Sequence, residues 1–198
     1  MDKGLLDMRI ICVNTGNKYT EWYVNNLKHM IDTYSELKYD EFCVIREEKH
    51  WSVFNKLQMF DLYRDGENLY FDLDVCIKGP VHNLIRKDLT VLHAWWRDRY
   101  HTSLNSSVIS WTGDVSYIYK EFMKQPEELE KKYNKGIDQY LEEVFQPKTY
   151  NKICMSMKHK EYEPEPKDFN IVLFNQRHHL MEEGWTGWWN RYFISKTI

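Results

Sequence analysis

The sequence predicts a single α/β domain over residues 1–198, with a mostly parallel central sheet flanked by helices. Three observations predict it. Strand-like and helix-like stretches alternate through the first 77 residues in the order strand, helix, strand, helix, strand, the pattern of a mainly parallel sheet. The strand-like stretches are continuous apolar runs, which suit strands covered on both faces. Hydrophobic residues make up 42% and aromatic residues 16% of the chain, enough for one sizeable core, and neither an internal repeat nor an interdomain linker interrupts it.

Each element has its own justification. Residues 8–13 (Met-Arg-Ile-Ile-Cys-Val) form the first run, ending in the turn cluster Asn14, Thr15, Gly16 and Asn17. Tyr23, Val24, Leu27, Met30, Ile31 and Tyr34 then share one helical stripe. Residues 42–45 are the second strand, and Val53, Leu57 and Phe60 mark a second helix that stops at the Asp65-Gly66 turn. Residues 69–77 read as one strand, apolar except for Asp72 and Asp74. Further on, residues 90–95 and 104–111 read as strands, and Val115, Ile118, Tyr119 and Phe122 as a helix capped by Asp114. Residues 125–145 are helical and charged, with a break near 134–136 and mixed signs suited to a solvated face. A Pro-interrupted acidic loop at 161–166, a late strand at 169–174 and an aromatic tail complete the chain.

Composition excludes several classes. Formal net charge is −3, which argues against a nucleic-acid partner, since nonspecific binding of that kind needs excess positive charge. The 8 Gly and 5 Pro exclude collagen-like and low-complexity chains. No apolar run reaches the roughly 18 to 20 residues of a membrane span, and the acidic residues near the N-terminus do not suit a signal peptide. Cys12, Cys43, Cys76 and Cys154 form no CxxC motif, and three lie inside apolar strand-like runs. Buried free thiols in a reducing cytoplasm is the reading they favour over a disulfide framework.

The chemistry concentrates at Asp72 and Asp74. In an extended strand, residues i and i+2 project to the same face, so the two carboxylates point together. Side by side after an apolar run, they repel and lose hydration if covered. A hard divalent cation relieves both penalties through oxygen ligands, as Mg²⁺ or Mn²⁺ does. The carboxyl ends of strands in open α/β sheets are where such ligand sites occur.

The stretch Tyr70-Phe71-Asp72-Leu73-Asp74-Val75, after a β/α/β start and before Gly79-Pro80, resembles the DxD motif of nucleotide-sugar-dependent glycosyltransferases with the Rossmann-like GT-A fold. The likeness is to small glycogenin-like and bacterial or phage-type members. It implies a nucleotide-binding half over 1–77 ending in the DxD, an acceptor-side half over 78–174, and an aromatic tail over 175–198. It implies transfer of a sugar from a nucleoside-diphosphate sugar to a glycan or other hydroxyl acceptor, with Mn²⁺ or Mg²⁺ held by Asp72 and Asp74. Asn14, Thr15 and Asn17 resemble the loop that holds base and ribose, and Leu73 belongs to the same donor-binding set. Trp51-Ser52-Val53-Phe54-Asn55-Lys56-Leu57 resembles the helix that brings a basic residue, Lys56, to the donor phosphates. Asn105 and Ser106 resemble the polar segment beside the sugar. Gly136-Ile137-Asp138-Gln139 resembles a Gly-Asp-Gln element near the reaction centre, which makes Asp138 the candidate base or positioning carboxylate.

The C-terminal part departs from that pattern. The family has a late strand followed by Phe-His-Gly, whose His completes the metal shell; here Asn175 follows Phe174. His178 is the candidate third ligand, with Asn175 and His179 as alternatives, and Arg177 is a candidate partner for the diphosphate. Trp95 and Trp111 are expected in the core. Trp185, Trp188 and Trp189, beside Gly184 and Gly187, are a candidate lid over the donor. Two other functions compete. A haloacid-dehalogenase-like phosphatase would use Asp72 as nucleophile and Asp74 as acid-base, but the motif comes late in the chain and no later Asp-Asp pair follows. A non-catalytic carbohydrate-binding protein would account for the aromatic excess but leaves the paired aspartates without a task.

Overall fold

The computed structural model describes residues 7–98, 101–158, 164–182 and 186–195. Strand β1 (Met8–Val13) leads into helix α1 (Glu21–Tyr34) and strand β2 (Glu41–Ile45). A 3₁₀ segment (Ser52–Gln58) and the short helix α2 (Met59–Leu62) precede β3 (Glu67–Phe71) and β4 (Val75–Ile77). Then come β5 (Thr90–His93), β6 (Leu104–Thr112), α3 (Tyr117–Phe122), α4 (Pro126–Lys132) and α5 (Ile137–Val144). Three short strands follow, β7 (Lys148–Tyr150), β8 (Cys154–Ser156) and β9 (Ile171–Leu173), with 3₁₀ turns at His178–Met181 and Trp188–Tyr192.

Six strands form the central sheet in the order β2-β1-β3-β6-β5-β7. Pairs β1·β2, β1·β3 and β5·β7 are parallel, and β6 alone runs against its neighbours β3 and β5. Both faces are covered, which is why the strand sequences are apolar throughout rather than alternating. Ile10, Cys12, Leu69, Phe71 and Val108 pack on one side with Tyr23, Val24, Leu27, Met30 and Ile31 of α1. Ile11, Tyr70, Ile109 and Trp111 pack on the other with residues of α2, α3 and α5. The Asp65-Gly66 turn needs its glycine: φ is +66°, and a Cβ there would lie 2.3 Å from the Asp7 carbonyl oxygen.

Three expectations need correction. Residues 69–77 are two strands, not one. The second, β4, belongs to a separate sheet of order β4-β9-β8. The stretch around Val53 and Leu57 is 3₁₀ rather than α-helical. Strand β5 stops at His93, so Trp95 lies in a turn, half-buried, stacked on Phe169 with its Nε1–H donating to the Cys154 carbonyl at 3.0 Å. Trp111 is fully buried, as expected, and the break at 134–136 separates α4 from α5. All four cysteines are free and buried, Cys154 within β8.

Candidate functional site

A cleft of about 730 Å³ opens at the carboxyl ends of β1 and β3, where a parallel sheet sends its connections in opposite directions. Thr15, Asn17, Lys56, Asp72, Leu73, Asp74, Asn105, Ser106 and Asp138 all line it. Residues from five separate stretches of sequence therefore meet in one place.

The two aspartates sit at a corner between sheets. The Asp72 N–H still donates to the Ser107 carbonyl at 2.9 Å, extending the β3·β6 ladder by one bond. Two residues on, the Asp74 carbonyl accepts the Phe174 N–H at 2.9 Å and so begins the second sheet. The carboxylates converge because the chain turns between these anchors, not because they alternate along a strand. Leu73 pins the corner with a side chain sunk in the core.

The two carboxylates have different surroundings. Asp72 Oδ1 accepts the Tyr70 hydroxyl at 2.5 Å and pairs with Lys56 Nζ at 2.5 Å, while that ammonium also reaches Ser106 Oγ at 3.4 Å. Asp74 is only 5% exposed. Burial, reinforced by the charge of Asp72, pushes its carboxyl above the ordinary value, against the opposing pull of Lys18, Tyr19 and Lys56. Tyr19 donates its hydroxyl to Asp74, and burial together with the two aspartates drives the phenol far up in pKa. Lys18 Nζ lies 4.5 Å from the centre of the Tyr19 ring. Lys18 and Tyr19 were missed from the sequence, although they stand directly after the Asn14–Asn17 turn.

The opposite wall is organised by Asp138. Its Oδ2 accepts Arg97 Nη2–H at 2.8 Å and its Oδ1 accepts the Ser106 N–H at 2.8 Å. That amide is free because the β5·β6 register slips between Val91 and Leu92, leaving residues 106–108 unpaired with β5. Asn105 Oδ1 accepts the Ser107 N–H at 3.1 Å and closes the same bend. Asp138 is delivered by the start of α5, whose preceding residue, Gly136, has φ +78° and would place a Cβ 2.8 Å from Val53 Cγ2. Asp138 thus fixes the shape of the wall as well as facing the cleft.

Two candidates lie off the wall. The Asn14 side chain turns to Glu21, donating Nδ2–H to Oε1 at 3.2 Å, and its own N–H is spent on the Ile45 carbonyl at 2.9 Å. After β9, Asn175 (φ +32°) and Gln176 (φ +64°) both adopt left-handed backbone and line the cleft; His178 and His179 are not among its lining, although His178 is near enough to Asp74 to feel its charge. His178 lies half-buried behind Tyr19, ring centroids 5.5 Å apart, and its Nδ1 has no hydrogen-bond partner. His179 is exposed. Asn175 occupies the wall instead, its Nδ2–H donating to Ser156 Oγ at 2.9 Å and its Oδ1 accepting the Ser107 hydroxyl at 3.4 Å.

The tail is not a lid as far as it is described. Trp189 is 2% exposed, packs edge-on against Phe174 at 5.5 Å and donates Nε1–H to the Leu180 carbonyl at 3.0 Å. Trp188 is half-buried against Trp189 and Tyr192. Gly184 and Trp185 lie outside the described residues.

Among the described residues no three His, Cys, Asp or Glu side chains converge as a ready-made metal cage. The donor set at the corner is all oxygen: two carboxylates, one of them buried beside the other's charge, with the Asn175 amide on the same wall. Such a set fits a hard divalent cation that keeps further positions for water or substrate oxygens. Cations surround it. Lys158, which donates to Gln176 Oε1 at 2.7 Å, is held below its ordinary pKa by burial and by the neighbouring Arg97 and Arg177.

Solved structures share this arrangement of elements. A glycosyltransferase involved in glycosylation of the major capsid of PBCV-1 superposes with a TM-score of 0.65 at 14% identity, covering 88% of this chain and 98% of its own. Glycosyltransferase GlyE of Streptococcus pneumoniae TIGR4 superposes with TM-scores of 0.63 in its apo form and 0.67 in a second structure, at 14% and 13% identity. The chain shares the fold of these glycosyltransferases. Its match to GlyE takes in 94% of this chain but 60% of that one, so this chain spans little more than half of GlyE. No family model and no curated protein matches the sequence. Among the described residues no helix is long and apolar enough to cross a membrane.

Proposed function

We propose that the protein is a metal-dependent glycosyltransferase that moves a sugar from a nucleoside-diphosphate sugar to the hydroxyl of a glycan or other acceptor. One observation carries this reading: a buried Asp74 and a lysine-paired Asp72 meet at the corner where the chain leaves the carboxyl edge of a parallel sheet. Such a corner concentrates negative charge that only a cation makes comfortable. Asp72 and Asp74 would hold Mn²⁺ or Mg²⁺, with the Asn175 amide, which lines the same cleft, the candidate third ligand in place of the expected His178. When bound, the ion supplies charge neutralisation to the departing diphosphate.

The chain's own groups do the rest. Lys56 and Lys18 flank the aspartates and add positive charge where the leaving group develops negative charge. Thr15 and Asn17 line the donor end of the cleft, and Leu73 holds the corner rigid beneath it. Asn105 and Ser106 present polar groups to the sugar, and Asp138, fixed by Arg97, orients that segment. Lys158, Arg97 and Arg177 crowd together in a way that an anionic ligand relieves. Four buried free thiols support a reducing, cytoplasmic setting. The phosphatase alternative is disfavoured because Asp72 Oδ1 is already engaged by both Lys56 and Tyr70, which blunts it as a nucleophile.

The test is calorimetry with Mn²⁺ and a panel of nucleoside diphosphates. The expected result is metal-dependent binding of at least one nucleotide, weakened about 100-fold or more in Asp74→Ala, a loss of about 2.7 kcal/mol. Binding that is indifferent to metal in the unaltered protein overturns the proposal. Hydrolysis of p-nitrophenyl phosphate without any nucleotide preference would favour the phosphatase instead.

A further inference from the structure

Two aromatic side chains on the described surface stand out from the core by their exposure: Tyr117 (52%) still packs against Phe145 with ring centroids 5.7 Å apart, and Trp51 is the other. Trp51 is 62% exposed. Its backbone is nevertheless fixed at both ends. The N–H donates to Glu130 Oε1 at 3.0 Å, and the carbonyl accepts the Phe54 N–H at 3.1 Å. Ser52, immediately after it, adopts φ +46°, a left-handed conformation uncommon for a residue with a side chain. The chain therefore fixes the backbone from which the exposed indole projects.

Two hollows meet at that ring. On one side Trp51 lines the cleft with Ser52 and Val53; on the other it lines a second hollow of about 510 Å³. The remaining walls of the second hollow are Glu127, Glu130, Lys131 and Asn134. Helix α4, which supplies most of them, has no fully buried side chain and touches the core through the half-buried Leu129. The Asn134–Gly136 turn joins the two hollows, because Asn134 lines the second while Lys135 lines the cleft. Trp51 is thus the ridge between them.

The chemistry of this hollow identifies its occupant. A flat apolar face bordered by hydrogen-bond donors and acceptors of both kinds matches a pyranose ring, which presents C–H groups on its faces and hydroxyls around its edge. The two carboxylates outnumber the single lysine, so a phosphorylated or acidic ligand is disfavoured. Continuity with the cleft excludes a purely decorative role, since a ligand lying across Trp51 enters the reaction site from that end. We infer that Trp51 and the α4 hollow form an acceptor subsite that holds a neutral sugar residue of the acceptor glycan. This inference rests on the glycosyl-transfer reading above, but its test is separable.

The experiment follows indole N–H signals of the ¹⁵N-labelled full chain during titration with maltopentaose, cellopentaose and chitopentaose. The Trp51 signal is assigned by its loss in Trp51→Phe. At least one of these neutral oligosaccharides is expected to move the Trp51 signal, with affinity at least about tenfold weaker in Trp51→Ala and largely kept in Trp51→Phe. Leu62→Ala, which removes another exposed apolar side chain outside both hollows, is expected to leave that affinity unchanged. Thermal unfolding of Trp51→Ala checks that the variant folds. The inference is overturned if no neutral oligosaccharide moves Trp51, if Trp51→Ala binds as tightly as the unaltered chain, or if only an acidic heparin tetrasaccharide moves the signal. Failure of metal-dependent nucleotide binding with intact oligosaccharide binding would instead sink the transferase reading and leave the sugar subsite standing.

Discussion

Lys56→Met isolates the electrostatics of the cleft without presupposing any reaction. In the unaltered protein the Lys56 and Asp72 side chains are 13% and 18% exposed, with Nζ and Oδ1 2.5 Å apart. Methionine keeps the length and apolar stem of the lysine but removes the charge. Asp72 is left with the Tyr70 hydroxyl and faces Asp74 with one fewer counter-charge. Breaking a fully buried ion pair by removing one partner costs about 3–5 kcal/mol. Both groups keep some water, which screens part of that penalty, so about 2–3 kcal/mol is expected here. For a chain of this size that lowers the midpoint of thermal unfolding by roughly 4–12 °C. The assay is a double-mutant cycle by scanning fluorimetry and urea unfolding, in EDTA, with Lys56→Met, Asp72→Asn and the pair together. The pair is expected to recover at least about 1.5 kcal/mol of the summed single losses, because it removes both charges and strands neither. Single losses that add to within about 0.5 kcal/mol would refute the reasoning, since the two groups would then be energetically independent.

Other perturbations have equally definite outcomes. Because burial holds Asp74 above its ordinary value of 3.8, the folded state releases that proton later than the unfolded state. Its contribution is absent at pH below 3.8 and becomes increasingly destabilising as pH rises from there to the folded pKa. Asp74→Asn is therefore expected to flatten the fall in unfolding midpoint over that window in EDTA, and an unchanged pH slope refutes the cause. Asp138→Ala removes acceptors for both Arg97 and the Ser106 amide, so urea unfolding is expected to show a loss of about 1–3 kcal/mol. A variant as stable as the parent would show that the carboxylate does not hold the wall. Trp189→Ala is expected to lose about 3–5 kcal/mol, the cost of a large core cavity, whereas a mobile lid would leave stability almost untouched.

The first half of the fold was legible because its physics is local and redundant. Runs such as residues 8–13 carry apolar side chains at every position, a pattern that both-sided burial requires and that few other arrangements tolerate. Helix α1 showed its stripe clearly because one face meets the sheet and the other meets water. The second sheet was legible only in part: the late strand read at 169–174 contains β9, but β4 was merged with β3 into one strand, and β8, three residues long, is too short to display any period. The 3₁₀ course of 52–58 was equally hidden: Val53, Leu57 and Phe60 have spacing that suits an α-helix, and only the outward turn at Ser52 reveals the tighter path.

At the site, the sequence found the aspartates for a reason that the structure replaces. Same-face projection along a strand would place both carboxylates on one side of a continuous β-strand. Instead the chain leaves one sheet at Asp72 and joins another at Asp74. The backbone bonds that define the corner go to Ser107 and Phe174, residues far away in sequence, so no local pattern betrays them. A corner also explains why the partners of the aspartates come from separate elements, Lys56 from the 3₁₀ segment and Tyr19 from the loop after β1, while Asn175 from the turn after β9 lines the same cleft. The same logic accounts for the absence of His178 from the cleft lining. Continuing β9 in an extended path would have carried the chain past the cleft, but two successive left-handed residues at 175 and 176 reverse it, leaving the Asn175 amide on the wall and His178 behind Tyr19. Backbone conformation at two positions, rather than residue type alone, decides which side chain lines the cleft.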